Sequence, residues 1–168
     1  MNTKIGVKQQ FKAAGLLAAF VVSGSAIAQS LPKEGNYDFT SCWSGVSNII
    51  AFSKTHVAFS YVMTGTNRSA TPGGFFDNTS FRCVGMNSAF EGKAAGTVVC
   101  EMIDAQGDKS LMRYVNDGTT NTRTSVAGTG KYDGMVSSGT TMPLGPFPFI
   151  KPGTFQNCNQ QTGTYKLK

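Results

Sequence analysis

Tyr37-Asp38-Phe39-Thr40-Ser41-Cys42-Trp43-Ser44 places aromatic rings or a serine at every second position, with Asp, Thr, Cys and Ser between them. Side chains of an extended strand point alternately to opposite faces, so this stretch reads as a strand with one apolar and one polar face. The two-residue period returns at residues 56–63, where Val57, Phe59, Tyr61 and Met63 share a face, and again over 97–104, 110–116 and 122–128. Between these runs Gln106-Gly107-Asp108, Asn116-Asp117-Gly118, Ala127-Gly128-Thr129-Gly130 and Asp133-Gly134 supply residues that tolerate positive φ in turns. About eight short strands in succession predict an all-β antiparallel fold. A closed barrel is preferred over a sandwich because closure leaves no sheet edge bare.

Ahead of the strands, Lys4, Lys8 and Lys12 precede an apolar run over 13–22 and a small-residue Ala26-Ile27-Ala28 site. This is the pattern of a secretory signal peptide over residues 1–28, and its apolar core is well short of the ~20 residues that span a bilayer. Cleavage is expected after Ala28, leaving residues 29–168 as a single β-barrel domain. With the leader removed, twelve basic residues face nine acidic ones. They are scattered singly from Lys33 to Lys168, so a nucleic-acid partner is excluded for want of a basic cluster. No later segment approaches membrane-spanning length. The leader points to export by a Gram-negative bacterium, into the periplasm or beyond.

Cys42, Cys83, Cys100 and Cys158 all follow the leader, and an even count in an oxidising compartment reads as two disulfides. No C-x-x-C pair occurs and His56 is the sole histidine, so neither a metal nor a cofactor is expected. Phe81, Cys83 and Gly85 share one face and Val98, Cys100 and Met102 another, which favours Cys83–Cys100 across neighbouring strands. Elimination then joins Cys42 to Cys158. Loop-closure entropy assigns roughly 3 kcal/mol to the shorter link and about 5 kcal/mol to the longer.

Gly128-Thr129-Gly130-Lys131-Tyr132-Asp133-Gly134, followed by Ser138-Gly139-Thr140, resembles the glycine-rich stretch of the allene oxide cyclase and dirigent barrel superfamily. The resemblance implies an eight-stranded antiparallel barrel with an apolar cavity, sometimes used to steer a reactive small molecule. No acid or base of those families falls on a matching position, so only the architecture carries over. A lipocalin-like calycin barrel fits the strand count equally, although Trp43 is followed by Ser44-Gly45 and no Gly-x-Trp precedes the first strand.

Two loops interrupt the rhythm. Residues 64–79 carry Arg68, Gly73-Gly74 and the adjacent Phe75 and Phe76. One reading closes both rings over a barrel mouth on a glycine hinge, with Arg68 offered to an anionic head group. The preferred reading plugs the barrel end with a phenylalanine and pairs Arg68 with Asp77. Residues 142–153 set Pro143, Pro146, Pro148 and Pro152 among Leu144, Phe147, Phe149 and Ile150, which excludes a central strand. A lid over the barrel end is the first reading of this loop, and a docking patch for a protein partner the second.

No catalytic residue is identified. His56 has no acid at a telling spacing and reads as a surface residue, and no G-x-S-x-G elbow occurs. Asp104-Ala105-Gln106-Gly107-Asp108-Lys109 lacks the ligand spacing of a calcium loop and reads as a hairpin turn. The function expected is therefore binding of a small apolar ligand in or at the mouth of the barrel, with Arg68, Phe75, Phe76, Phe147, Phe149, Trp43 and Tyr61 as candidate contacts. An interaction module using residues 142–153 is the alternative, and an isomerase or cyclase is implied by resemblance alone. Intact-mass analysis of protein recovered from its own host is expected to show a chain starting at Gln29 and lighter than its reduced form by four hydrogens. A chain starting at Met1, or one that gains no mass on reduction, would contradict this reading.

Overall fold

A computed structural model describes residues 31–168, Pro146 and the Asn121 side chain apart. The leader expected over residues 1–28 lies outside the described residues. Eight strands follow one another: β1 (Glu34–Ser53), β2 (His56–Ser69), β3 (Thr79–Phe90), β4 (Lys93–Ile103), β5 (Lys109–Asn116), β6 (Asn121–Gly128), β7 (Val136–Pro143) and β8 (Thr154–Lys166). They form one antiparallel sheet in the order β6-β5-β4-β3-β2-β1-β8-β7, curled into a nearly closed barrel. The edge strands β6 and β7 come together at a seam without a ladder between them. Among the described residues the single helical turn is Gly130–Tyr132, just before β7.

Both disulfides are as alternation predicts. Cys83 and Cys100 are directly opposed on β3 and β4, and Cys42 and Cys158 on β1 and β8. The first bridge is buried and faces inward, whereas Cys42 lies on the exposed face of β1. Two cross-strand disulfides are what an oxidising, exported environment supports.

Inward-facing glycines allow the sheet to curl tightly around large rings. Gly65 lies between Trp43 and Phe81 in register, and a side chain there would strike both; Gly85 lies beside Tyr61 in the same way. Glycine inside a strand leaves room for the close approach and bending that closure requires. Residues 64–69, expected as loop, are therefore strand. Gly65 marks the room that the Phe81 ring needs, and alternation continues past it to Ser69, so the connection shrinks to residues 70–78.

The seam is bridged by Tyr37, across the same kind of space. Tyr37, Gly163 and Gly139 are aligned on β1, β8 and β7, and the bare glycine positions let the phenol reach across two strands. Its hydroxyl accepts a hydrogen bond from Arg123 Nη1 on β6 at 2.8 Å and donates to the Ser138 carbonyl on β7 at 3.1 Å. One side chain of β1 thus ties the two edges that no ladder joins. Burial raises the Tyr37 pKa against the opposing influence of the Arg123 guanidinium. Gly139→Ala, whose methyl group would meet the Tyr37 hydroxyl and the Thr162 carbonyl, is expected to destabilise the barrel by about 1–3 kcal/mol. Tyr37→Phe is expected to cost a similar ~1–3 kcal/mol by stranding Arg123. Urea unfolding measures both, and unchanged midpoints would remove the bridge from the account.

Candidate functional site

One end of the barrel is packed shut. Successive residues of an extended chain point apart, yet Phe75 and Phe76 both turn inward because Phe76 adopts a left-handed φ of 59°. That conformation is strained for a bulky residue and is held by burial, with Phe75 2% and Phe76 1% exposed. The Phe75 ring stacks on Tyr165 at 4.1 Å, and Phe76 meets Phe39 edge-on at 5.5 Å and Tyr132 at 5.4 Å. Met102, Met112 and Met135 fill the gaps between rings.

The 70–78 connection is consequently a fixed plug, not a hinged cover. Its N-terminal end is held by Ala70 N–H and Ser69 Oγ, both donating to the Asp38 carbonyl. Arg68 is exposed and forms no ion pair with Asp77. The Asp77 carboxylate instead accepts the Ser69 and Gly73 amides at 3.0 and 2.9 Å. Burial alone would raise the Asp77 pKa, but these backbone donors hold it below the usual carboxylate range.

Asp104 closes the same end beneath β4. Its Oδ1 accepts the Gln106 and Asp108 amides and its Oδ2 faces Lys131 Nζ at 2.6 Å, so the carboxylate serves a turn and an ion pair. Burial opposes ionisation there, yet Lys131 and the amides keep the pKa depressed. The neighbouring Tyr132 is driven upward by burial and by the Asp104 charge.

Beyond the plug the lumen is hollow. A cavity of about 680 Å³ runs from Phe39 and Met102 toward Asn87 and Asn116 at the opposite end. Trp43, Phe59, Tyr61, Phe81 and Tyr114 form its aromatic walls, and the Cys83–Cys100 bridge lies among them. Burial raises the pKa of Tyr61 and Tyr114, so both are neutral phenols at ordinary pH. Among the described residues no Asp, Glu, His or Lys lines this space. His56 is at the β1–β2 turn, bonded only to Ser53 and Thr55 hydroxyls.

Across the cavity floor runs a hydrogen-bonded chain of neutral side chains with one cation at its head. Arg123 Nη1 contacts Gln161 Oε1 at 3.4 Å, Gln161 Nε2 donates to Ser41 Oγ at 3.3 Å, and Ser41 Oγ donates to Asn67 Oδ1 at 2.5 Å. Asn67 Nδ2 continues to Thr79 Oγ1 at 2.8 Å, and Thr79 donates to the Phe76 carbonyl at 3.1 Å. Five strands and the plug are thereby connected through polar groups that point into the lumen.

Of the candidate contacts read from the sequence, Trp43 and Tyr61 line the cavity. Phe75 and Phe76 lie in the core below it, and Arg68 stands outside. Phe147 and Phe149 do not cover the mouth. The β7–β8 loop folds along the outer wall, where Phe147 lies over Ser44, Thr64 and the outward Cys42–Cys158 bridge, and Gln156 Nε2 donates to the Pro148 carbonyl. Leu144 still pairs with the Cys158 carbonyl, so the chain leaves the barrel wall sideways instead of over its end. Phe149 and Ile150 remain 76% and 83% exposed.

Arg123, Asn67, Gln161 and Tyr114 were not singled out by sequence reasoning. Counting every second residue back from the inward Gly128 would place Arg123 outside. A β-bulge at Val126 reverses the count, since Leu111 pairs with Ala127 but Met112 with Ser125, and Arg123 therefore turns into the lumen.

No protein-family model, curated protein or solved structure matches this chain. The geometry itself separates supports from wall. Phe76→Ala is expected to cost about 3–5 kcal/mol as a cavity in the plug, while Phe149→Ser should stay within ~0.5 kcal/mol of the parent. Thermal or urea unfolding compares them. A tolerated Phe76→Ala would show the plug to be a loose cover after all.

Proposed function

We propose that this protein is an exported carrier or receptor that holds a small, largely apolar ligand inside its barrel. The observation that supports the reading most is the 680 Å³ lumen above a close-packed aromatic plug. Its size falls within the roughly 300–1,000 Å³ of small-molecule sites, and aromatic walls with a few converging polar groups are the usual composition of such sites. The plug supplies rigidity at one end, so burial of ligand surface need not be offset by ordering of the protein. Placement in the periplasm or outside the cell follows from the leader pattern and agrees with two disulfides.

An isomerase or cyclase reading has less support, because the described residues that line the cavity include no carboxylate or imidazole. A second reading, attachment of a partner protein through the β7–β8 loop, is favoured by the exposure of Phe149 and Ile150 alone.

Trp43 is the single tryptophan of the chain and lines the cavity, so its fluorescence reports occupancy. Titration with the neutral apolar probe N-phenyl-1-naphthylamine is expected to quench Trp43 with saturation and to brighten the probe. Native mass spectrometry of protein from its own host should show a bound small molecule. A protein that is empty and leaves the probe unchanged would overturn the reading.

A further inference from the structure

Among the described residues the cavity lining carries one charge and nothing of opposite sign. Arg123 is the only lysine, arginine, histidine, aspartate or glutamate among its lining residues. No carboxylate among the described residues lies within ion-pair distance of it. A guanidinium carries five N–H donors and cannot shed its charge. Here Nη1 has two neutral acceptors, the Tyr37 hydroxyl at 2.8 Å and Gln161 Oε1 at 3.4 Å. Nε and Nη2 are buried with no acceptor at all.

The guanidinium carbon lies 5.4 Å from the Tyr37 ring centre and 5.9 Å from those of Phe76 and Tyr114. Aromatic faces offset part of the lost hydration, but they do not neutralise a cation or satisfy three N–H groups. Buried charges are ordinarily paired, and removal of a partner is what makes them costly. Arg123 has the environment of an ion pair with one half missing.

We propose that the barrel selects ligands bearing a single acidic group, a carboxylate foremost, and that Arg123 receives it. This rests on the binding reading above and adds to it the chemical class of the ligand. Nε and Nη2 are adjacent donors on one edge of the guanidinium, the edge that meets a carboxylate with two parallel hydrogen bonds. The 3.4 Å contact to Gln161 is the weakest that Arg123 makes and lies at the cavity wall. An arriving acid group takes the place of Gln161 Oε1, and the guanidinium turns its unpaired edge toward it. The Tyr37 hydroxyl keeps its hydrogen bond from Nη1, and Gln161 stays tied to Ser41 through its Nε2. The aromatic walls then hold the apolar body, with Trp43 and Phe81 on the far side.

The test compares 2-naphthoate with its neutral near-isostere 2-naphthamide by calorimetry, on the full mature protein at neutral pH. The carboxylate is expected to bind at least about tenfold more tightly, as a charge-assisted pair would give. Arg123→Gln should erase that preference while uptake of N-phenyl-1-naphthylamine persists, and Arg123→Lys should retain part of it. A purely structural Arg123 would change stability in these variants but leave the acid-to-amide ratio alone. If Arg123→Gln does not fold, the wild-type ratio and the Arg123→Lys variant decide. Equal affinity for the two compounds, or no binding of the carboxylate by a protein that takes up the neutral probe, overturns the inference. Failure of all three compounds overturns the binding reading beneath it.

Discussion

The Tyr37 phenol, laid across two glycines to reach the open seam, is the contact on which the rest of the barrel depends. A sheet whose edges share no ladder has unpaired backbone at both, and closure must come from side chains. Tyr37 provides it from β1, three strands from β6 when counted around the short way, because Gly163 and Gly139 leave its path clear. The same hydroxyl accepts from Arg123 and donates to β7. Closure of the fold and orientation of the Arg123 cation in the lumen are therefore one interaction.

The aromatic plug and the hollow lumen follow from the same economy of large and small residues. At the Tyr37 end large inward rings lie over small neighbours such as Gly163 and Gly139, and loop residues Phe75 and Phe76 complete the packing from outside the ladder. Toward the opposite end Gly65, Gly85 and Gly96 face inward opposite large neighbours, and the lumen is left unfilled. Interiors are normally packed to crystal density, and an unfilled, aromatic-walled space of this size is the feature on which the proposed binding function rests. The strained backbone at Phe76 fits this picture, as strain persists where surrounding packing over-determines it.

Much of the wall was legible in residue alternation. Tyr37 to Trp43 and Val57 to Met63 face inward as their period requires, and the inward Cys83 and Cys100 meet across one strand gap. Turn chemistry located the connections, although Glu91-Gly92, with φ of 51° and 82°, is a tight hairpin turn that the apolar pattern alone did not mark. Three features escaped for physical reasons. The Phe75-Phe76 pair reads as a plug made by one ring, and only the left-handed backbone at Phe76 turns both rings inward. The proline-rich loop is apolar enough to suggest a cover, yet its direction is set by the β7–β8 register and by Gln156, neither of which has a local signature. Arg123 depends on a bulge, and a one-residue slip reverses every facing assignment beyond it.

The central claim is that the space between Trp43, Tyr61 and Arg123 exists to be occupied. Its most direct measurement is a high-resolution crystal structure of the protein purified from its own host without refolding. The account predicts continuous density, larger than ordered water, between the aromatic walls, with an acidic group within hydrogen-bond reach of Arg123. A collapsed lumen with Trp43 and Tyr61 packed together, or one holding only scattered waters, would contradict it.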